Sequence, residues 1–273
     1  MSAGNVRCYL CGSTQLELIV DIRQKPARET DFGIAPDAYD RQVYQCSRCT
    51  VYVNVQDMLG TDIYGREYNQ ATYSLKLLDT FNRIRSLPEA QSDNKQRVRR
   101  VMELNARNGR SPQDTHVLDI GSGLCVFLAE LKDHGFYCYA IDPDPLSAQH
   151  ALAHAGVDGA HAGTLDTFLS DQKFDLIALN KVLEHVPDPV RMLKQAKSFL
   201  SPGGFVYIEL PDGDGALRNG DAVGREEFYI EHFTIFTPDS MSKLASLSGF
   251  VVREMKQIHE PSDKYSIYSF LSL

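Results

Sequence analysis

From residue 115 to the end, short apolar runs bounded by glycine or proline alternate with stretches that carry apolar residues at helical spacing. HVLDIGSG reads as a buried strand ending in a glycine turn, and VFLAELKDHG as a helix closed by Gly135. FYCYAIDPD is a second strand and PLSAQHALAHAG a second helix. FDLIALNKVLEHV begins as a strand, PVRMLKQAKSFLSPGG reads as a helix ending at its Pro and Gly, and FVYIELP as a further strand. TPDSMSKLASLSGF is a helix with Thr237 as N-cap, and VVREMKQI and YSIYSFLSL are late strands. Strands alternating with helices predict an α/β fold with a mostly parallel, Rossmann-like sheet covered on both faces. Ligands of such sheets sit at the carboxyl ends of the strands, which gathers the turns after Asp119, Asp142 and Asn180 around one pocket.

The earlier part of the chain has another texture. TVYVNVQDMLGTDIYGREYNQ, residues 50–70, is rich in tyrosine. Two helical stretches follow, 72–86 with Leu75, Leu78, Phe81 and Ile84 on one face, and 93–108; NGRSPQD, 108–114, reads as a linker. The expected organisation is a segment 1–60, a helical connector 61–110 and a main domain 111–273.

Composition narrows the class. With 273 residues, 43% of them hydrophobic, the chain can bury an ordinary core. No apolar run is long enough to span a membrane, and MSAGNVRCYL lacks a signal-peptide core, so a cytoplasmic location is expected. A formal charge of −8 argues against a nucleic-acid partner, because phosphate binding needs clustered Lys and Arg. The basic stretch KQRVRRVMELNARNGR is read as a solvated helix face.

Six cysteines bear on this picture. CYLC (Cys8, Cys11) and CSRC (Cys46, Cys49) are two C-x-x-C pairs separated by a long loop. Each tight turn supplies two thiolates, and two turns close a tetrahedral zinc site. Four thiolates leave no open position, so the expected ion is structural, holding a segment too small to fold on its own core. Cys125 and Cys138 lie in apolar surroundings and read as plain core or loop residues.

The stretch LDIGSGLCVFLAEL points to the ligand of the main domain. Gly121 and Gly123 at a strand-to-helix turn let backbone approach a ligand. The nicotinamide fingerprint wants a third Gly or Ala where Val126 stands, and Asp119 repels phosphate. S-adenosylmethionine fits better, having no phosphate. Its ammonium and sulfonium suit the field of Asp119, and its carboxylate suits a helix N-terminus. Asp142 ends the next strand, where a carboxylate accepts ribose hydroxyls. GTLDTF, with Leu165 and Asp166, either edges the adenine or is a plain helix start.

VLDIGSG, AIDPD, FDLIALNKVLEHVPDP and LSPGGFVYIELP together make residues 115–255 resemble a class I S-adenosylmethionine-dependent methyltransferase. That resemblance implies a seven-stranded sheet. Cys125 departs from it, standing where the family usually has a third glycine. The four-cysteine segment and tyrosine-rich connector narrow the likeness to the deoxysugar C-methyltransferases, which act on nucleotide-linked keto sugars. Their catalytic Tyr-x-Glu-His motif is matched by Tyr229, Glu231 and His232 within EFYIEHFTIF, residues 227–236. Those enzymes have a further C-terminal domain, and this chain stops at Leu273, after its last expected strand.

The expected activity is methyl transfer to a small molecule, a sugar or sugar nucleotide in polysaccharide or natural-product biosynthesis, at oxygen or carbon. His232 is the expected base, Glu231 its orienting partner, and Tyr229 a donor to a substrate oxygen or developing enolate. His185, beside Glu184 in VLEHVPDP, is a second candidate base. The tyrosines of IYGREYNQATY either form a core stripe or close over the cofactor as a lid, which makes Tyr64 and Tyr68 candidate cofactor or substrate contacts. Competing readings are an RNA methyltransferase with a zinc ribbon, and a cofactor-binding or zinc interaction module without catalysis. The oligomeric state is left open.

Overall fold

The computed structural model describes residues 6–58, 77–220 and 224–273. Its main sheet uses β4 (His116–Ile120), β5 (Tyr137–Asp142), β6 (Gly159–Ala162), β7 (Phe174–Asn180), β8 (Leu200–Pro211), β10 (Val251–His259) and β11 (Tyr265–Ser272). These seven strands run in the order β10-β11-β8-β7-β4-β5-β6. The pairs from β8 to β6 are parallel, and β11 is antiparallel to both of its neighbours.

Period-2 alternation sends side chains to two different cores. Leu118, Ile177, Leu179, Val206 and Ile208 enter one, while Val117, Leu176, Ala178, Phe205 and Tyr207 enter the other. The second core is covered by α1 (Leu77–Ser86), α2 (Asp93–Arg107) and α3 (Val126–Asp133), through Phe81, Val98, Val101 and Leu128. The first is covered by α5 (Pro189–Lys197) and α7 (Pro238–Leu247), through Leu193, Met241 and Leu244. Both faces are buried, so the central strands read as continuous apolar runs.

Several boundaries differ from expectation. The helix expected over 189–204 ends at Lys197, and the chain is already in β8 at Leu200, which pairs with Phe174. Burial of Leu200 against the sheet outweighs helix propensity there. β6, GAHA, has no alternation of large apolar residues and was not expected as a strand. The helix starting at Pro145 is regular only as α4 (Pro145–His150) and continues as one wide turn over Ala151–Ala155, capped by Gly156 at φ 67°. Thr237 is the N-cap of α7 and forms a capping box with Ser240. The part of the first expected helix before Leu77 lies outside the described residues.

The N-terminal segment forms a second sheet from β1 (Leu16–Ile22), β2 (Arg41–Cys46) and β3 (Tyr52–Gln56). Its fourth strand comes from far along the chain: β9 (Thr234–Ile235) pairs with β3 at Tyr52 and Val53. The segment holding Tyr229, Glu231 and His232 is thus stitched to the N-terminal sheet. Between β8 and this segment lies α6 (Gly213–Arg218), and Tyr52 Oη donates to Asp214 at 3.0 Å.

Candidate active site

The turns at the carboxyl ends of β4 and β7, together with residues 226–232, enclose a cavity of about 460 Å³. One half is built on the glycine turn. Gly121 and Gly123 have φ of 74° and 49°, and a Cβ on Gly121 would stand 2.7 Å from Val182 Cγ2. Cys125, in the place of a third glycine, also takes a left-handed φ of 58°, which L residues adopt at a cost of roughly 1 kcal/mol. Its side chain is buried in the core like that of Cys138, and burial pushes both thiols up.

Asp119 is buried at the end of β4, and Asn180 Nδ2 donates to its Oδ1 at 3.2 Å. Burial pushes the Asp119 carboxyl up to about 7, against the opposing pull of Arg97 and Asn180. Asn180 Oδ1 and Ser122 Oγ are buried with no hydrogen-bond partner among the described residues. Buried polar atoms without partners mark a place that a polar ligand completes. The amino-acid end of S-adenosylmethionine supplies both donors and acceptors, and the chain's residues fit it.

Asp142 lies just behind this turn. Its carboxylate accepts from Gly123 N at 2.7 Å and Asp144 N at 2.9 Å, fixing the glycine turn to the end of β5. Leu165 is buried in the core, and Asp166 is held on the surface by Arg191 and Gln195. Asp119, Gly121, Gly123 and Asn180 line the cavity; Asp142, Leu165 and Asp166 do not. Tyr64 and Tyr68 lie outside the described residues.

The other half of the cavity is lined by His185, Tyr229, Glu231 and His232, with Glu184 beside them. The two imidazoles meet edge to face with ring centres 4.7 Å apart. His232 Nδ1 donates to the carbonyl of Glu227 at 3.0 Å, and His185 Nδ1 donates to that of Glu231 at 3.2 Å. A carbonyl only accepts, so each Nδ1 carries the proton and each Nε2 the lone pair. Burial holds His232 down at about 4, and burial with His232 alongside holds His185 well below the usual histidine range. Burial pushes Glu184 up to about 8 and Glu231 up to about 7.

The N-terminal sheet reaches into this half. Thr30 Oγ1 donates to Glu231 Oε1 at 3.0 Å. Glu29 and Arg41 form a fully buried ion pair at 3.0 Å. Glu29 Oε1 also accepts from Ile230 N at 2.8 Å, Arg41 donates to the carbonyl of Phe228, and Asn54 Nδ2 donates to that of Tyr229 at 2.9 Å. The backbone from Phe228 to Ile230 is therefore held by side chains from the other end of the sequence.

Sequence reasoning missed Thr30, Glu29 and Arg41, whose relevance depends on contacts across some 200 positions. It also missed Lys181, which lines the cavity from the end of β7 with a left-handed φ of 57°. Lys181 follows Asn180 at a strand end, and that position was the available signal.

The four N-terminal thiols stand apart from the cavity. Cys8 and Cys49 Sγ are 3.5 Å apart, Cys11 and Cys46 Sγ 3.6 Å, and all four lie within 4.8 Å of one another. Zinc–sulfur bonds of about 2.3 Å in a tetrahedron give edges of about 3.8 Å, so the thiols fit that ion. The two turns have the same form: Gly12 N and Thr50 N donate to the carbonyls of Cys8 and Cys46, both at 2.8 Å, and both residues have positive φ.

Comparisons with known proteins agree with this architecture. A family profile described as a methyltransferase domain matches residues 90–255. A ubiquinone biosynthesis O-methyltransferase of Coxiella burnetii (strain RSA 493 / Nine Mile phase I) is 32% identical over 156 residues, covering 53% of this chain and 67% of that protein. One from Aeromonas salmonicida (strain A449) is 25% identical over 156 residues, covering 52% and 66%. Magnesium protoporphyrin IX methyltransferase of Synechocystis PCC 6803, solved with S-adenosylhomocysteine, aligns with a TM-score of 0.58 at 16% identity, covering 77% of this chain and 98% of that one. The 1,6-didemethyltoxoflavin-N1-methyltransferase of Burkholderia thailandensis aligns at 0.55 and 18% identity, covering 89% and 99%. The profile spans more than half the chain, and this protein belongs to the methyltransferase-domain family, as an S-adenosylmethionine-dependent methyltransferase of the class I fold.

Proposed function

We propose that the protein methylates a small, polar, hydroxylated molecule of sugar-like character, and that a structural zinc ion fixes its N-terminal sheet. The observation that carries this reading is the shared cavity: the glycine turn and the histidine pair open into one space whose far side is mostly charged and polar, with Arg28, Thr30, Glu226, Glu227 and Lys264. Such a lining suits hydroxyl groups better than an apolar ring. The match to enzymes named as O-methyltransferases supports oxygen as the methylated atom. The Tyr-x-Glu-His sequence at Tyr229–His232 supports the sugar-like class.

S-adenosylmethionine supplies a methyl group on a sulfonium, already activated, so orienting the two partners is the main task of the protein. Asp119, Asn180 and Ser122 would hold its amino-acid end, and the backbone at Gly121–Gly123 would allow close approach. The acceptor's proton is drawn off at the histidine pair, where His232 Nε2 carries a lone pair and is the proton acceptor of the chain by itself. Tyr229 faces the same space, where its hydroxyl would donate to an acceptor oxygen.

Purified protein, methyl-labelled cofactor and extract of the source organism test the reading. Label is expected in small polar products; label in RNA or in no product overturns it. His232→Ala should lower turnover by about 10²–10⁴-fold, the usual value of a general base, while S-adenosylhomocysteine binding measured by calorimetry stays within a few fold.

A further inference from the structure

Glu184 presents a problem that the methyl-transfer reading leaves open. Its side chain is completely buried, and neither carboxylate oxygen accepts a hydrogen bond from another residue among those described. A buried carboxyl group either sheds its charge, as Glu184 does when pushed up to about 8, or is paired or bound to a cation, since leaving it charged and bare costs several kcal/mol. Its Oε1 lies 4.0 Å from His185 Nε2, beyond hydrogen-bond distance. One ligand atom each from Glu184, His185 and His232 fall within 4.8 Å of one another.

The two rings are set as metal ligands are set. A ligating histidine donates its other ring nitrogen to a carbonyl or carboxylate, which fixes tautomer and orientation. Both Nδ1–H groups here do so, to the backbone carbonyls of Glu227 and Glu231. Bonds of about 2.1 Å in a tetrahedron give edges of about 3.4 Å, so side chains whose ligand atoms now lie within 4.8 Å of one another close by up to about 1.4 Å around an ion. Two imidazoles and one carboxylate on one side leave coordination positions open toward the cavity.

We infer that Glu184, His185 and His232 form a divalent-cation site, for an ion of the zinc or manganese class, on the acceptor side of the cavity. The inference rests on the methyl-transfer reading for its role and changes only how the acceptor is activated. With the ion bound, Glu184 would be neutralised and the acceptor hydroxyl polarised, His232 would be a ligand rather than the base, and the acceptor's proton would pass to the Glu231 carboxylate on the same cavity wall. Lys181 and Lys264, also on the cavity wall, are engaged with Glu260 at 3.7 Å and Glu226 at 2.6 Å, which limits their repulsion of a cation.

The test uses full-length protein loaded with one equivalent of zinc, which the four thiolates take first, and then titrated with Mn2+ while free Mn2+ is followed by electron paramagnetic resonance. One Mn2+ per chain is expected. Glu184→Gln and His232→Asn should each weaken it at least tenfold while retaining S-adenosylhomocysteine binding. Bound Mn2+ in the unaltered protein should show couplings to imidazole nitrogen, a readout that needs no variant. Absence of uptake, uptake unchanged by both variants, or absence of nitrogen coupling overturns the site. Mn2+ binding with no methylated product in any extract leaves the site standing and removes the acceptor reading; turnover without Mn2+ binding does the reverse.

Discussion

Asp119 concentrates the electrostatics of the half of the cavity proposed to take the cofactor. Its carboxyl is pushed up to about 7 by burial, from an unfolded value near 3.8. Between about pH 4 and 7 the folded protein without cofactor therefore holds a proton that the unfolded chain has lost, and this group's contribution to stability declines as pH rises through that window. A cationic ligand wants the ionised form. Affinity for S-adenosylmethionine should fall by up to about tenfold per pH unit below 7, since binding then requires loss of a proton. Asp119→Asn should bind more weakly at pH 8 and show little of this dependence. Calorimetry of both proteins from pH 5.5 to 8 checks it, and parallel pH profiles would reject the assignment to Asp119. This residue was legible in the sequence, because a carboxylate ending a strand before two glycines is a local feature. Its shifted proton affinity was not, because burial is set by the layers on both faces of the sheet.

Among elements, the segment from Phe228 to Ile235 depends most on its surroundings. It has little regular structure of its own, with two residues of strand, and its backbone is held by Glu29, Arg41 and Asn54. Removing one member of a buried ion pair leaves the other uncompensated and costs about 3–5 kcal/mol, whereas replacing both with apolar residues is often neutral. Arg41→Met should therefore be destabilised by about 3–5 kcal/mol, and Glu29→Leu/Arg41→Met should regain most of that. Neither should recover methyl transfer, since the anchor of Ile230 N is lost in the double variant. Denaturant unfolding and labelled-methyl assays together test this; full activity in the double variant would mean that the ion pair serves stability alone. The sequence marked Tyr229, Glu231 and His232 as unusual, and the contacts that hold them come from residues about 200 positions earlier.

For the molecule as a whole, the N-terminal sheet and the methyltransferase layers share one boundary. Thr50, at the second cysteine turn, meets Thr237, the N-cap of α7, with their hydroxyl oxygens 2.7 Å apart. Cys8, Leu10, Cys46 and Cys49 belong to the same core as β7 and β8. A zinc ion in the proposed four-thiol site would contribute on the order of 10 kcal/mol to folding. Stripping it should lower the melting temperature and abolish methyl transfer while leaving cofactor binding within a few fold, because Asp119, Gly121 and Gly123 belong to the other sheet. Melting curves and calorimetry before and after chelation check this. An unchanged melting curve, with all four thiols open to modification, would show that the sheet stands without the ion. Among the described residues, no helix is long and apolar enough to cross a membrane.

The sequence by itself determined the α/β class, most of the strands and helices after residue 115, the glycine turn and the paired cysteine turns. Each of these depends on residues close together in the chain, through period, φ preference or ligand spacing. The tertiary structure decided which polar residues share a cavity. It brought Glu184 and His185 at the end of β7 against His232 near β9, and set both histidine tautomers with backbone carbonyls. It also turned β9 into the last strand of a sheet begun at Leu16. Such contacts are fixed by packing and by the cost of leaving buried polar groups unpaired, and both depend on distances across the fold rather than along the chain.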